Sequence, residues 1–479
     1  MSTSTSTEPP LYLRVAERLE HLIESGSLRA GDRIPSVRQF GRQQGVSVPT
    51  VMQAYTLLES RRLIEARPKS GFYVTARLAK ALQEPSQPPH QAATATLETF
   101  AATFVGLSEM NDPTLVPFGP AVPSDALLPL DKLVKTSAAV ARRSPSTGFR
   151  YDPAPGCPAL RKELSRRSID WGCAFEPDEF LVTLGASEAL HLALMAVTKP
   201  GDAVLVESPS YYGTLNLLHA LKLRAIPVPA NAGGLDLEAV KDAVKRYAVA
   251  AMLVIPNFSN PMGSFMSEES RRRLLDIADL HDIPILEDDI YGDLPHAGPR
   301  PPCLKALDRH DRVLLCGSYS KTLSPGLRVG YLVGGRHQSR LIELKNAFNL
   351  GGPALPAMTV AEFLRSGGYD RHLRKLREAY RLQICRAREK VAEAFPEGTR
   401  VSNPAGGLVL WLELPEQVDA MRVYQEARAA GISFAPGPMF SPQGFFRNCL
   451  RLSCGHPWNP RIENGLATLG AIVTRHAGA

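Results

Sequence analysis

Apolar residues in the first stretch of the chain recur at Val15, Leu19, Leu22 and Ile23, the spacing of one helical face. Gly26 and then Gly31-Asp-Arg break that pattern. Pro35–Gly45 reads as a second helix closed by glycine. A third opens at Val46-Ser47, with Ser47 as N-cap and Pro49 tolerated in the first turn. Two helices across a tight glycine turn have helix-turn-helix spacing. Leu63–Val74 then predicts a two-stranded wing with a basic tip, Arg67-Pro-Lys69.

The pattern changes twice more. Residues 76–113 pass through Glu84-Pro-Ser-Gln-Pro-Pro-His and an Ala/Thr-rich stretch. Prolines there oppose helix and remove backbone donors, so this segment reads as a linker. From Val116 onward apolar runs alternate with amphipathic helices, the runs including Glu179–Leu184, Ala203–Glu207, Ala251–Ile255 and Pro284–Glu287. Alternating βα units predict a mostly parallel sheet covered by helices. The expected organisation is a domain over 1–75, a linker over 76–113 and a larger α/β domain over 114–479.

Composition narrows the class only slightly. A chain of 479 residues with 44% hydrophobic and 22% charged content is an ordinary globular protein of several units. No run of about 18 uninterrupted apolar residues occurs, and the N-terminus is polar without a basic start, so neither a membrane span nor a signal peptide is expected. Seven scattered cysteines without a Cys-x-x-Cys pair signal neither a disulfide framework nor a metal site and fit a reducing cytoplasm. The net charge of +7 permits a polyanionic partner without requiring one.

Candidate chemistry sits at predicted strand ends, where α/β sheets place ligands. Lys321 follows the strand Arg312–Gly317 and is flanked by Ser318, Ser320, Thr322 and Ser324, with Arg328 one short loop on. An amine among hydroxyls, with a planar guanidinium nearby, suits a phosphorylated aldehyde: the amine forms a Schiff base and Ser318, Ser320 and Arg328 hold a phosphate dianion. Pyridoxal phosphate (PLP) needs both functions. Asp288 ends the run Pro284-Ile-Leu-Glu. A buried carboxylate there would keep a pyridine nitrogen protonated, with Tyr291 near the ring's phenolic oxygen. The plainer alternative is that Glu287–Asp289 cap a following helix. Asn260, in Asn-Pro-Met-Gly, can donate to the same oxygen or merely build a turn. Gly185-Ala186-Ser187 leads into a helix whose N-terminus suits a phosphate. Tyr211 can stack on the ring or pack in a core. Arg451 lies on a late strand, where it would clamp a substrate carboxylate if inward, or decorate an edge if not; Arg447, four residues earlier, would share its face.

The N-terminal landmarks Pro-Ser-Val-Arg and Lys-Ser-Gly-Phe-Tyr-Val resemble the winged helix of the GntR family of regulators. That resemblance implies duplex DNA as partner, with the third helix in the major groove. Ser36, Arg38, Arg67, Lys69 and Gly71 would contact phosphates, and Ser47, Pro49 and Thr50 would begin the recognition helix. Position 48 is Val where many relatives carry Arg, so the operator would be read by thymine-methyl contact or by shape. The alternative is a three-helix scaffold for a protein contact. The larger segment, roughly 116–475, carries its motifs in the order of the fold-type I, class I aminotransferases. This implies Lys321 as Schiff-base lysine, Asp288 on the pyridinium, Asn260 and Tyr291 on the phenolic oxygen and Tyr211 on the ring face. Gly185, Ala186, Ser187, Ser318, Ser320 and Arg328 would take the phosphate, Arg451 the carboxylate. Tyr151 would be lent to the phosphate across a homodimer. Met262 stands where Thr is common.

The fusion resembles the MocR/GabR subfamily: a winged helix-turn-helix joined to a PLP-dependent transferase fold with a smaller C-terminal subdomain. It implies a dimeric regulator of promoter DNA that senses an amine or amino acid, or PLP itself. A PLP-dependent aminotransferase is the rival reading, and residual turnover is compatible with the residues present.

Overall fold

Ser36 and Gly45 set the limits of the second helix. The Ser36 hydroxyl accepts from the Gln39 amide at 3.2 Å, and Gly45 at φ +64° donates back to Gly41. The computed structural model describes residues 10–24, 27–29, 31–60, 63–67, 70–75, 82–86, 109 and 112–478. These divide into two compact units, one gathering the described residues up to Leu82 with Cys385–Ala394, the other Gln83–Ile384 with Phe395 onward.

The first unit contains α1 (Leu11–Glu24), α2 (Val37–Gln44), α3 (Val48–Ser60), β1 (Ile64–Arg67) and β2 (Gly71–Val74). Val15 and Leu19 are buried and Leu22 and Ile23 partly so, as the apolar periodicity predicts. They meet Phe40, Val51, Ala54, Tyr55 and Leu58 in one cluster closed by Ile64 and Val74. Tyr55 is its hub. Its hydroxyl donates to the Pro35 carbonyl at 2.8 Å, and its ring stands edge-on to Phe72 at 4.9 Å. β1 and β2 pair antiparallel from Ile64↔Val74 to Arg67↔Gly71, forming the wing.

The second unit is built on an eight-stranded sheet. In chain order its strands are β3 (Phe180–Thr183), β4 (Ala203–Ser208), β5 (Arg224–Asn231), β6 (Gly234–Leu235), β7 (Val249–Val254), β8 (Ile285–Asp288), β9 (Val313–Ser318) and β10 (Gly330–Val333). Their spatial order is β3-β10-β9-β8-β7-β4-β5-β6. The four predicted apolar runs are all strands here. β9, β8, β7, β4 and β5 run parallel, while β10 and β6 are antiparallel to their neighbours, so the sheet is mixed. The parallel strands read as near-continuous apolar runs because both faces are covered. A second, four-stranded sheet contains β11 (Arg400–Val401), β12 (Val409–Glu413), β13 (Ala435–Pro436) and β14 (Cys449–Ser453), with β14 internal between β12 and β13.

Beneath the carboxyl ends of β8 and β9 lies a buried ionic network. Arg300 donates to Asp289 and, at 2.8 Å, to Asp293. Asn257 reaches the other Asp289 oxygen at 2.8 Å, and Arg271 holds Asn257 at 2.6 Å. The Tyr369 hydroxyl donates to Asp293 at 2.7 Å and lies 2.9 Å from the Thr322 hydroxyl, while His372 meets the Thr322 carbonyl at 2.8 Å. Burial would raise the Asp293 pKa, but Arg300 and Arg167 outweigh it and hold the carboxyl below its ordinary value. Removing one member of a buried pair leaves the other charge uncompensated. Arg300→Leu should therefore lower stability by about 3–5 kcal/mol. An earlier urea midpoint, followed by tryptophan fluorescence, is the measurement that checks it.

Candidate functional site

The parallel strands end around one cavity. Its walls include Ala186 and Ser187 after β3, Tyr211 and Tyr212 after β4, Asn260 after β7, Asp288 and Tyr291 at and after β8, and Ser320, Lys321 and Arg328 after β9. Convergence at strand termini follows from a parallel sheet, whose strands all point the same way. Nine of the twelve predicted cofactor residues line it. Gly185 precedes the lining residue Ala186, and the Ser318 hydroxyl lies 2.9 Å from that of the lining residue Ser320.

Lys321 projects its amine to the carbonyl of Ala121, 2.7 Å away. Burial lowers its pKa to about 8, the nearby Arg451 and Arg328 push the same way, and Asp288 opposes them. Asp288 is buried and accepts from the Ile290 amide at 3.2 Å; burial raises its pKa to about 7. No helix follows Asp288, which removes the helix-cap alternative. Sequence reasoning missed a second buried carboxylate nearby, Glu207 at the end of β4. It accepts from the Ile255 amide at 2.9 Å, and burial raises its pKa to about 8.

An anion cradle lies at one end. Helix α4 (Ala186–Val197) starts there with no side-chain cap, so its first amides are free to bind an anion. The Ser318 and Ser320 hydroxyls are 2.9 Å apart, and Arg328 reaches Ser320 at 3.4 Å and the Leu184 carbonyl at 2.7 Å. Gly185 has φ +85°, and a Cβ there would sit 2.8 Å from the Arg328 guanidinium, so the cradle requires glycine. At the other end Asn260 and Tyr291 are hydrogen-bonded neighbours, and Asn260 Oδ1 is buried without a protein partner among the described residues. The Tyr211 ring lies over Gly213, where a Cβ would collide with it.

Arg451 is fully buried on the internal strand β14, not on an edge. One nitrogen donates to the Gly119 carbonyl at 2.5 Å, while Nε and Nη1 have no partner among the described residues. A buried guanidinium with two unused donors is prepared for a carboxylate. Arg447 does not share its face. Strand β14 begins only at Cys449, and Arg447 lies outside it, exposed and paired with Asp419 at 2.8 Å. Tyr151 is absent from the cavity of its own chain. It is 85% exposed on a short strand, Tyr151–Pro153, paired with Gly351–Pro353.

These groups fit PLP by their chemistry: a dianion cradle, a buried carboxylate, a depressed amine and an orphaned guanidinium. When bound, PLP supplies an aldehyde that bonds amines and a ring that withdraws electrons.

On the first unit, Ser47 caps α3 by accepting from the Thr50 amide at 3.3 Å, and its hydroxyl lies 2.7 Å from that of Thr50. Val48 and Met52 are 45% and 43% exposed beside the exposed Ser47 and Pro49, giving this helix an apolar outer face. Arg38 is exposed. Ser36 is committed as N-cap. Arg67 folds back on Glu65 at 2.8 Å and over the Tyr73 ring at 3.9 Å. Gly71 has φ +110°, and Arg33, which sequence reasoning passed over, stands against it. Lys69 lies outside the described residues. No helix among the described residues is long and apolar enough to cross a membrane.

A model of class I and II aminotransferases matches residues 122–461, and one of bacterial regulatory proteins of the gntR family matches residues 11–74. Two uncharacterized HTH-type transcriptional regulators of Escherichia coli, YjiR and YdcR, are each 35% identical, covering 97% and 96% of this chain and 99% and 98% of their own lengths. The 2-aminoadipate transaminase of Thermus thermophilus is 31% identical over 75% of this chain and 90% of its own. Among solved structures, LysN, the alpha-aminoadipate aminotransferase of Thermus thermophilus in complex with N-(5'-phosphopyridoxyl)-L-leucine, superposes with a TM-score of 0.72 at 29% identity, covering 78% of this chain and 97% of LysN. The larger part of the chain therefore belongs to the class I and II aminotransferase family, joined to a gntR-family regulatory domain, and the chain matches HTH-type transcriptional regulators such as YjiR over nearly its whole length.

Proposed function

We propose that this protein is a DNA-binding transcriptional regulator that senses an amino compound through PLP held covalently by Lys321. The observation that carries the reading is a depressed amine facing a buried carboxylate, within one chain that also bears a winged helix. Lys321 would provide the covalent hold. Asp288 would keep a proton on the ring nitrogen, and the α4 terminus, Ser318, Ser320 and Arg328 would hold the phosphate. Asn260 and Tyr291 would donate to the phenolic oxygen, and Tyr211 would cover the ring. Arg451 would take the carboxylate of an effector whose amine competes with that of Lys321. Regulation then requires that the effector favour one arrangement of the protein over another.

The working form is proposed to be a homodimer. Phe149, Tyr151, Phe348 and Leu350 are all more than half exposed on or beside the paired strands Tyr151–Pro153 and Gly351–Pro353. Such a patch suits a second copy, to whose phosphate site Tyr151 would be lent. The linker over 76–113 and the promoter as DNA partner belong to the same reading. On DNA, the apolar start of α3 at Val48, with Pro49 and Thr50, would meet thymine methyls, and Arg38, Lys69 and the wing would meet phosphates.

Three outcomes test this. Lys321→Ala should abolish the visible absorbance gained on adding PLP, and borohydride should no longer fix cofactor to the protein, while footprinting without effector is unchanged. Retained colour would remove the lysine assignment. Second, only the neutral amine is nucleophilic. The rate of PLP capture should rise with pH through about 8 and level off above it. A rate still climbing steeply beyond pH 10 would mean an ordinary lysine. Third, Arg38→Ala should weaken binding to specific and unrelated DNA alike and reduce the salt slope by about one ion.

A further inference from the structure

We propose that an apolar cleft beside Arg451 is the effector's side-chain subsite and that it takes a short, uncharged apolar group of methyl to ethyl size. The inference rests on the Lys321–Arg451 reading above and extends it to the class of effector.

Two cavities share the Tyr212 ring. The cofactor cavity begins at Pro120, and the smaller cleft begins at the preceding residue, Gly119. Gly119 also supplies the carbonyl that holds Arg451 at 2.5 Å. Ala435, another cleft wall, is the register partner of Arg451 on the neighbouring strand. A ligand with its carboxylate on the free Nε and Nη1 of Arg451 and its nitrogen toward Lys321 would have its α-carbon between them, and Gly119, Ala435 and Tyr212 tie the cleft to that span.

The rest of the wall is Phe434, Pro436, Met439 and the Tyr424 ring. Among the described residues no charged side chain lines it. Its one hydroxyl besides that of Tyr212, on Tyr424, donates to buried Glu109 at 2.5 Å, and Arg428 neutralises Glu109 at 2.8 Å. Tyr424 therefore offers carbon to the cleft. An ionised side chain placed there would lose water without gaining a partner. The free space is about 10 Å³, one water-sized sphere. Met439 packs against Met262, Trp411 and Phe440 behind it, so the cleft cannot deepen without disturbing a filled cluster.

The experiment titrates the PLP-loaded full-length protein with L-alanine, L-2-aminobutyrate, L-leucine, L-phenylalanine, L-aspartate and L-lysine, reading the cofactor absorbance. Half-saturation should come at concentrations about 10-fold lower for alanine and 2-aminobutyrate than for the charged and aromatic members. Met439→Ala should move the preference toward leucine by about 10-fold relative to alanine, and Ala435→Val should move it toward glycine. Preference for aspartate or lysine, or an unchanged ranking in whichever of the two variants takes up PLP, overturns the subsite. A wild-type protein that takes up no cofactor sinks the Lys321 reading as well. Colour that responds to amines in the wrong order sinks only the subsite.

Discussion

The ionic network under β8 and β9 is the constraint on which the cavity depends. Asp289 follows Asp288, and Thr322 follows Lys321. Both neighbours are gripped by one buried set: Arg300 joins Asp289 to Asp293, and Tyr369 joins Asp293 to Thr322. The spacing between the amine and its opposing carboxylate is thus held from below by groups that never face the cavity. Each ion is costly to bury alone and tolerable only with its partners in place. The same property makes the arrangement rigid, because a shift of either strand end would strand a charge.

That rigidity sets the electrostatics above it. Burial lifts Asp288 to about 7 and drops Lys321 to about 8, so the two ordinary values converge. Each group therefore titrates close to physiological pH instead of several units from it. A ligand bringing a positive ring nitrogen to Asp288 and an electrophilic carbon to Lys321 relieves both at once. The orphaned donors of Arg451 belong to the same design. Their desolvation is unfavourable without a partner, so on the proposed reading they would favour a ligand that brings a carboxylate.

What the sequence made legible follows from locality. Lys321, Ser318, Ser320 and Arg328 lie within eleven consecutive positions after an apolar run, and a strand followed by a polar loop is a local pattern. The α3 cap at Ser47 and the glycine stop at Gly45 are equally local. Groups joined over long separations were not legible. Lys321 meets Ala121 across 200 positions and Arg451 meets Gly119 across 332. Arg300, Tyr369 and Glu207 look like ordinary residues of a loop, a helix and a strand until folding gathers them. Tyr212 was hidden beside Tyr211, since nothing in a pair of tyrosines says that both face the cavity. Arg447 was grouped with Arg451 by a period of two that holds only inside a strand, and the strand starts two residues after it.

The small sheet carries more than Arg451. Val401 on β11 donates to the Gln83 carbonyl at 2.8 Å, and Glu413 on β12 takes the Ser86 amide at 2.6 Å and its hydroxyl at 2.7 Å. Gln83, Ser86 and Glu109 all fall within 76–113, the segment proposed above as the linker. Glu109 in turn holds Tyr424, whose ring walls the cleft beside Arg451. This stretch is therefore hydrogen-bonded at two separate places, to β11 and β12 of the small sheet and to the Tyr424 hydroxyl. A ligand that changed the position of the Tyr424 ring would act on a group bonded directly to this stretch, and one that moved β14 would act on it through the neighbouring strand β12. Coupling then needs no distant pathway, only a difference in how well those few hydrogen bonds are made with the effector present and absent.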